Sequence, residues 1–540
     1  VNWQRMPAIA NPARIEAIQP ALLARPDGSL LALGRTRQDR VFATASRDGG
    51  RSWDALRLLD LPNPNAAIDA IRLADGRYLM VFNPRIAGRQ WWDGRDRLDV
   101  ALSEDGEHWK SVLTLEDEPG QEFSYPAVVQ TWDGRVHVAY TWKRQRIRHV
   151  VLDPVRLVPP PAVPDDGAAP AYRNASLSAE ARAADLVRRL SLEEKAAQMR
   201  DNAPAVPRLG IPAYQWWNEG LHGLARNGYA TVFPQATGLA ASWNPDLLHQ
   251  VGATISDEAR AGFARIDPAN GYPRYAGLTL WSPNINILRD PRWGRGQETY
   301  GEDPFLTSRL GVAFVRGLQG DDPQHPRTIA TPKHFAAHSG PEPGRDSFDV
   351  SPSAHDLEDT YLPAFRAAIA EGGAGSVMCA YNALAGIPAC ANADLLQRRL
   401  RGDWGFSGYV VSDCDAVGNM TQFHHYTQDA AEASARAVLA GNDLNCGSAY
   451  LHVADAVRRG LLPQAELDRS LQRLLAARIR LGMYGPAPAR PVDAQATRAL
   501  ALDAGRESLV LLKNARGTLP LRAGARIAVL GPTADLLEVL

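Results

Sequence analysis

Gly405-Phe406-Ser407-Gly408-Tyr409-Val410-Val411-Ser412-Asp413-Cys414-Asp415 is the stretch from which the larger part of this chain is read. Tyr409, Val410 and Val411 make a short apolar, β-branched run of the kind that forms a strand buried on both faces. A helix is predicted just before it: Asn392 can cap its start, Leu395, Leu396 and Leu400 supply an apolar stripe, and Gly402 can end it. Helix, turn, buried strand and then a carboxylate at the strand's C-terminal tip is the order in which a (β/α)8 barrel presents a reactive acid. Taken alone, the pattern is as much that of an Asp capping the next helix.

Upstream runs narrow the choice. Leu278 to Leu288 leads into Arg289-Asp290-Pro291-Arg292-Trp293-Gly294-Arg295-Gly296-Gln297-Glu298, and Thr328 to Pro332 leads into Lys333-His334-Phe335. Ser376-Val377-Met378-Cys379-Ala380 leads into Tyr381-Asn382. In the length and order of these motifs, residues from about 173 onward resemble glycoside hydrolase family 3. The resemblance implies a (β/α)8, TIM-like barrel over residues 173–485. Residues 486–540 then resemble a linker and the truncated start of an α/β sandwich domain, with strand-like runs at Ser508 to Leu512 and Arg526 to Pro532. Helix signals inside the barrel region include the capping box Ser191-Leu192-Glu193-Glu194, with Leu192, Ala196 and Met199 on one face. Another runs from Leu357 through Tyr361 and Phe365 to Ile369.

Residues 1–156 read differently. Short apolar runs alternate with the hairpin turns Asp27-Gly28, Asp75-Gly76 and Asp133-Gly134. Ser46-Arg47-Asp48-Gly49-Gly50-Arg51-Ser52-Trp53 fits the Asp-box pattern, in which the Asp ties the turn and the Trp packs between sheets. Ser103-Glu104-Asp105-Gly106-Glu107-His108-Trp109 is a version one residue shorter. The repeat spacing is that of propeller blades. This part resembles a sialidase-type β-propeller of two to three blades, too short to close a ring. Glu122 and Tyr125 are candidate remnants of that family's Tyr–Glu pair, or ordinary blade residues. A Pro-rich linker over 157–172, with its prolines at Val158 to Pro164, is expected to divide the parts. The fold class is therefore multidomain: a partial all-β propeller, an α/β barrel and the start of a sandwich.

The 540 residues suit two to four domains. Charge is balanced, 59 Lys+Arg against 60 Asp+Glu, which gives no basic field for nucleic acid and no polybasic membrane anchor. No apolar run approaches the ~18 residues of a membrane helix. The chain opens on Val1 with no leader, as an internal fragment would, so export is left open, with a bacterial periplasmic or extracellular setting suspected. Such a setting permits Cys379–Cys390 and Cys414–Cys446 bridges; four reduced, buried thiols fit equally well. No metal-ligand spacing is present, and no cofactor is implied.

The resemblance implies a chemistry. Glycoside hydrolysis with retention needs one carboxylate beneath the anomeric carbon and a second carboxyl group to protonate the leaving oxygen. By resemblance Asp413 is the nucleophile, and Glu219, Arg295, Lys333, His334 and Tyr381 bind the sugar or support the nucleophile. Glu298 and Arg345 are picked out more weakly, as residues standing behind these. In Trp216-Trp217-Asn218-Glu219-Gly220-Leu221-His222-Gly223, family glucosidases usually carry Asp where this chain has Glu219. The extra methylene should intrude on the C6 group of glucose, so a pentose is expected. Ser412-Asp413-Cys414-Asp415 and Asp443-Leu444-Asn445-Cys446-Gly447 also look like the xylosidase branch. Arg345-Asp346-Ser347-Phe348 replaces the Asp-Ser-His of N-acetylglucosaminidases, and Phe348 cannot donate a proton. The general acid is expected beyond Leu540.

The expected activity is thus removal of β-linked xylose from xylo-oligosaccharide ends. The rivals are a β-glucosidase or dual xylosidase/α-L-arabinofuranosidase, an exo-α-sialidase, and a carbohydrate-binding protein with an inactive barrel.

Overall fold

The computed structural model describes residues 8–88, 90, 92–118, 120–157, 170–268, 271–485, 491–532 and 534. It divides into two units, Val1–Pro164 and Asp165–Leu540. The predicted proline run at 158–164 lies outside the described residues. Both ends of the expected 157–172 linker are packed: Leu157 is buried in the first unit and Tyr172 in the second.

The first unit is built of consecutive antiparallel meanders. Ala17–Ala24, Leu30–Thr36, Arg40–Ser46 and Arg57–Pro62 form one four-stranded sheet. Asp69–Arg72, Tyr78–Phe82, Arg97–Ser103 and Lys110–Asp117 form the next. Phe123–Gln130, Val136–Trp142 and Arg146–Leu152 form a third, of three strands. Each predicted Asp-Gly turn joins a hairpin, with Gly28, Gly76 and Gly134 in the left-handed region their turns require. Asp48 accepts from the Ser52 N–H at 2.9 Å and from the Ser46 hydroxyl at 2.9 Å, while Trp53 Nε1 donates to Gly50 O at 3.2 Å. The box at 103–109 repeats the device, with Trp109 Nε1 on Gly106 O at 3.0 Å. These turns are local in sequence, which is why a pattern of seven or eight residues specifies them.

The second unit alternates helices with short strands. Tyr409–Ser412 is wholly buried and pairs in parallel with Ser376–Cys379. Single bridges and short ladders carry the pairing onward. Cys379 pairs with Phe335, Lys333 with Asn284, Ile329–Ala330 with Thr279–Leu280, and Leu280 with Asn218, all in parallel. In the other direction Val411 pairs with Leu444 and Asn445 with Arg200. Asn202–Ala203 against Tyr214–Gln215 returns the pairing to its start, and this step is antiparallel. The sequence signal gave no warning of it, because two-residue strands carry no readable periodicity.

The helix before the Tyr409–Ser412 strand forms as predicted at its start, where Asn392 Oδ1 accepts from Leu395 N at 3.1 Å, and it buries Leu395, Leu396 and Leu400. Its end differs. The turns are wide, with Trp404 N bonded to Arg399 O, and they carry the helix through Gly402 to Asp403. Gly405, at φ +70°, reverses the chain instead. The 191–194 capping box forms, and the 357–369 pattern is helical with a wide turn at Leu357–Tyr361. A further correction concerns the C-terminal stretch. Ala494–Glu507 is a helix, but the strand-like runs at 508–512 and 526–532 are in no strand, and Leu512 and Leu530 are almost fully exposed. Among the described residues, no helix is long and apolar enough to cross a membrane.

Asp443 ties the Tyr409–Ser412 strand to its surroundings. Fully buried, it accepts from Val410 N at 2.9 Å, Arg401 Nη2 at 2.7 Å and Arg473 Nη1 at 2.8 Å. Removing one partner of a buried ion pair leaves an uncompensated charge and costs about 3–5 kcal/mol. Asp443→Ala should lose about that much in urea unfolding followed by Trp fluorescence. A loss under about 1 kcal/mol would show that water satisfies Arg401 and Arg473 instead.

Candidate active site

Asp413 stands one residue past the strand. Its N–H donates to Cys379 O at 3.1 Å, so the neighbouring strand fixes its backbone. Its Oδ1 accepts from the Cys414 N–H at 2.8 Å. Its carboxylate is thus not spent on capping the following helix, Ala416–Gln422, whose cap position is Asp415. Cys414 is bonded to Cys446 and Cys379 to Cys390, so the bridged alternative holds for all four cysteines. Both bridges flank the backbone that carries Asp413.

The predicted residues converge on this carboxylate: Glu219, His334 and Tyr381 lie within two residues of a paired position, Lys333 is itself paired with Asn284, and Arg295 comes from the loop that follows Asn284. His334 Nε2 lies 3.4 Å from Asp413 Oδ2. Arg295 sends Nη1 to His334 Nε2 at 2.9 Å and grips Glu298 with its other two nitrogens at 2.8 and 2.6 Å. Lys333 is buried, with Nζ 3.3 Å from Glu219 Oε2, and Glu219 Oε1 accepts from Trp217 Nε1 at 2.9 Å. Tyr381 sits beside Asp413 and favours its charged form. Glu298 stands behind Arg295. Arg345 pairs with Glu342, and its charge is felt at His334 and His338.

Burial pushes the Asp413 carboxyl above its ordinary range; Arg295 and Lys333 pull in the opposite direction, and so does the Cys414 N–H. Burial also opposes charge on Glu298, but the Arg295 fork overcomes it and brings that carboxyl below its ordinary range. Burial and the Asp413 charge together push the Tyr381 phenol up. Burial, then the surrounding cations, hold His334 well below the usual imidazole range, and the same causes bring His338 down to about 3. Both imidazoles are therefore neutral near pH 7.

Several residues of the cluster escaped the sequence reading. Trp217 stacks on Trp281 at 5.6 Å between ring centroids, and the Arg274 guanidinium lies 4.7 Å from the Trp217 centroid. His338 is enclosed by His334, Trp293, Phe348 and Tyr381. Phe348 thus packs as a wall. Asn286 holds His334 at three points; the signal for it was a pair of Asn, Asn284 and Asn286, inside an otherwise apolar run. In the first unit, Glu122 is buried and committed to Arg144 at 2.6 and 3.0 Å and to Arg95 at 3.4 Å, while Tyr125 is exposed.

The geometry is that of an α/β unit with cations and hydrogen-bonding side chains gathered around one buried carboxylate. The glycosyl hydrolase family 3 N-terminal domain model matches residues 182–477, and the chain belongs to that family. A BNR repeat-like domain model matches residues 1–138. A xylan 1,4-β-xylosidase of Xylanibacter ruminicola is 47% identical over 378 residues, covering 67% of this chain and 44% of the relative. A β-xylosidase/α-L-arabinofuranosidase of Medicago sativa subsp. varia is 42% identical, covering 68% of this chain and 50% of the relative. Among solved structures, a GH3 exo-β-xylosidase in complex with a xylobiose aziridine activity-based probe superposes with a TM-score of 0.61 at 37% identity. That match covers 65% of this chain and 48% of the other. The chain spans about half the length of the curated relatives it matches.

The charge balance around Asp413 has a measurable sign. A raised carboxyl pKa means that the ionised form is lost, as pH falls, at a higher pH than for an ordinary Asp. Removing a nearby cation removes stabilisation of that form. Asp413 should titrate above the ordinary value of 3.8, and Lys333→Met should move it higher still, read from carboxyl carbon shifts in labelled protein. Titration at or below 3.8, or no upward movement in the variant, would contradict this balance.

Proposed function

We propose that this chain carries the nucleophile-bearing part of a retaining exo-β-xylosidase. The observation that carries the proposal is the placement of Asp413 Oδ2, buried and without a hydrogen-bond partner among the described residues, beside Lys333, His334 and Arg295. An oxygen so placed keeps its lone pair for an anomeric carbon. Attack would form a glycosyl ester on Asp413, and water would later release the sugar. Lys333, Arg295 and Glu219 would take its hydroxyls, and Tyr381 would steady the carboxylate. The substrate would be a xylo-oligosaccharide.

Glu219 sets the expected preference. Its carboxylate is pinned between Lys333 and Trp217, so it cannot swing aside for a C6 group. That the relatives described above are named as xylosidases supports a pentose, and the Medicago relative's name adds α-L-arabinofuranosides as a second candidate substrate. We also take the closed circuit of pairings, parallel but for one step, as a modified (β/α)8 barrel, and the meanders of the first unit as blades of a β-propeller. The two disulfides fit an oxidising compartment.

A single methylene shifts specificity by ~1–3 kcal/mol. Glu219→Asp, made in the enzyme extended to its relatives' length, should raise the glucoside-to-xyloside ratio of kcat/KM by about 10-fold or more. An unchanged ratio would remove Glu219 from the sugar subsite.

The proton for the leaving group is expected from a Glu beyond residue 540, since Phe348 cannot supply it. A general acid is worth roughly 10²–10⁴ in rate. The 540-residue chain should therefore attack a dinitrophenyl xyloside, whose leaving group needs little protonation, and leave xylobiose nearly untouched. Rapid xylobiose cleavage would place a proton donor within these residues.

A further inference from the structure

The surroundings of His334 determine which of its ring nitrogens carries the proton. Asn286, buried, meets the residue at three atoms. Its Nδ2 donates to His334 O at 2.8 Å, and its Oδ1 accepts from the His334 backbone N–H at 2.8 Å. A backbone N–H can only donate and a carbonyl can only accept, so the Asn286 amide cannot be turned over. Oδ1 also lies 2.9 Å from His334 Nδ1. Nδ1 therefore faces an acceptor and must carry hydrogen. At the other nitrogen, Arg295 Nη1 approaches Nε2 at 2.9 Å. A guanidinium has only donors, so Nε2 must be the bare lone pair. Two independent neighbours thus demand the same tautomer.

This bears on Asp413. An Nε2–H at 3.4 Å from Asp413 Oδ2 would turn toward that oxygen and occupy its lone pair. With Nε2 bare, no hydrogen is available there, and Oδ2 stays without a donor. We propose that Asn286 is a positioning residue: it fixes His334 as the neutral Nδ1–H tautomer, which keeps the attacking oxygen of Asp413 free. The consequence for Asp413 rests on the hydrolase reading above; the tautomer does not. It follows that His334 offers no ring N–H to Asp413 or to a sugar hydroxyl, since Nδ1–H is taken by Asn286 and the Nε2 lone pair by Arg295.

The charged and titratable groups facing His334 are consistent with a neutral ring. Arg295 with Glu298 comes from the 289–301 loop, Lys333 and His338 from its own segment, and Arg345 from the loop that follows. Asp413 and Tyr381 come from the neighbouring strand ends. His338 repeats the arrangement, with Nδ1 3.1 Å from Asn382 Oδ1 while Asn382 Nδ2 donates to the carbonyls of Ala336 and Ala383.

The test is nitrogen NMR of the 540-residue chain labelled at histidine, with His334→Gln used to assign the signal. His334 should show a protonated Nδ1 and a bare Nε2, unchanged between about pH 5 and about pH 8. Asn286→Asp places a carboxylate against Nδ1–H, which favours the doubly protonated ring. His334 should then titrate in that range, and labelling of Asp413 by dinitrophenyl xyloside should fall by about 10-fold on the acid side and recover as pH rises. An Nε2–H signal in the parent chain, or a labelling profile in Asn286→Asp that matches the parent's, overturns the proposal. The parent spectrum reads the tautomer whether or not Asp413 takes a label, so failure of the proposal and failure of the hydrolase reading are told apart.

Discussion

A carboxylate that must stay charged while buried is the constraint on which the second unit depends. Taking an ion out of water costs several kcal/mol unless partners compensate. Asp413 has one backbone N–H on one oxygen and, around the other, cations that approach without donating to it. Fully hydrogen-bonded, it would be comfortable and inert; with no cations nearby, it would simply hold its proton. The cluster of Lys333, Arg295 and the neutral His334 lies between these limits. The carboxylates of Glu298 and Glu219 in turn hold those cations in place.

The fold supplies the rigidity that such a balance requires. Asp413 is fixed from three directions: its N–H on the Cys379 carbonyl, the Cys414–Cys446 bridge at the next residue, and Asp443 beneath Val410. Cys379 is itself bridged to Cys390, so the strand that positions the Asp413 backbone is also tied down. A displacement of about 1 Å at such a centre can cost 10²-fold in rate. Both disulfides lie beside the backbone that carries this carboxylate.

How much of this was legible varied with how local each feature is. The Asp boxes, the Asp-Gly hairpins and the 191–194 capping box are closed by bonds between residues a few positions apart, and all were readable. The placement of Asp413 past a buried strand was readable for the same reason, and so were the individual motifs around Glu219, Arg295, Lys333, His334 and Tyr381. Their meeting in space was legible only through the family resemblance. The antiparallel step between Asn202–Ala203 and Tyr214–Gln215 could not be seen, because its partners are set by the whole circuit of pairings. Gly402 was the expected end of one helix; the wider turns between Asp394 and Asp403 carry the helix past it, and Gly405 reverses the chain instead. At 508–512, an apolar β-branched run indicated a strand, but a strand also needs a neighbour with free backbone groups, which composition does not report. Asn286 was overlooked, although a polar residue within an apolar run is a departure, and here that side chain meets His334 at three atoms.

On the proposed reading, Asp413 Oδ2 is the atom that takes the sugar. The most direct measurement is to treat the chain with a dinitrophenyl 2-deoxy-2-fluoroxyloside, whose leaving group departs without a proton, digest the chain and locate the added mass. One stoichiometric adduct is expected, on the peptide that contains Asp413, and it should be lost in Asp413→Asn. An adduct on another carboxylate, such as Glu298 or Asp346, or an undiminished adduct in Asp413→Asn, would contradict it.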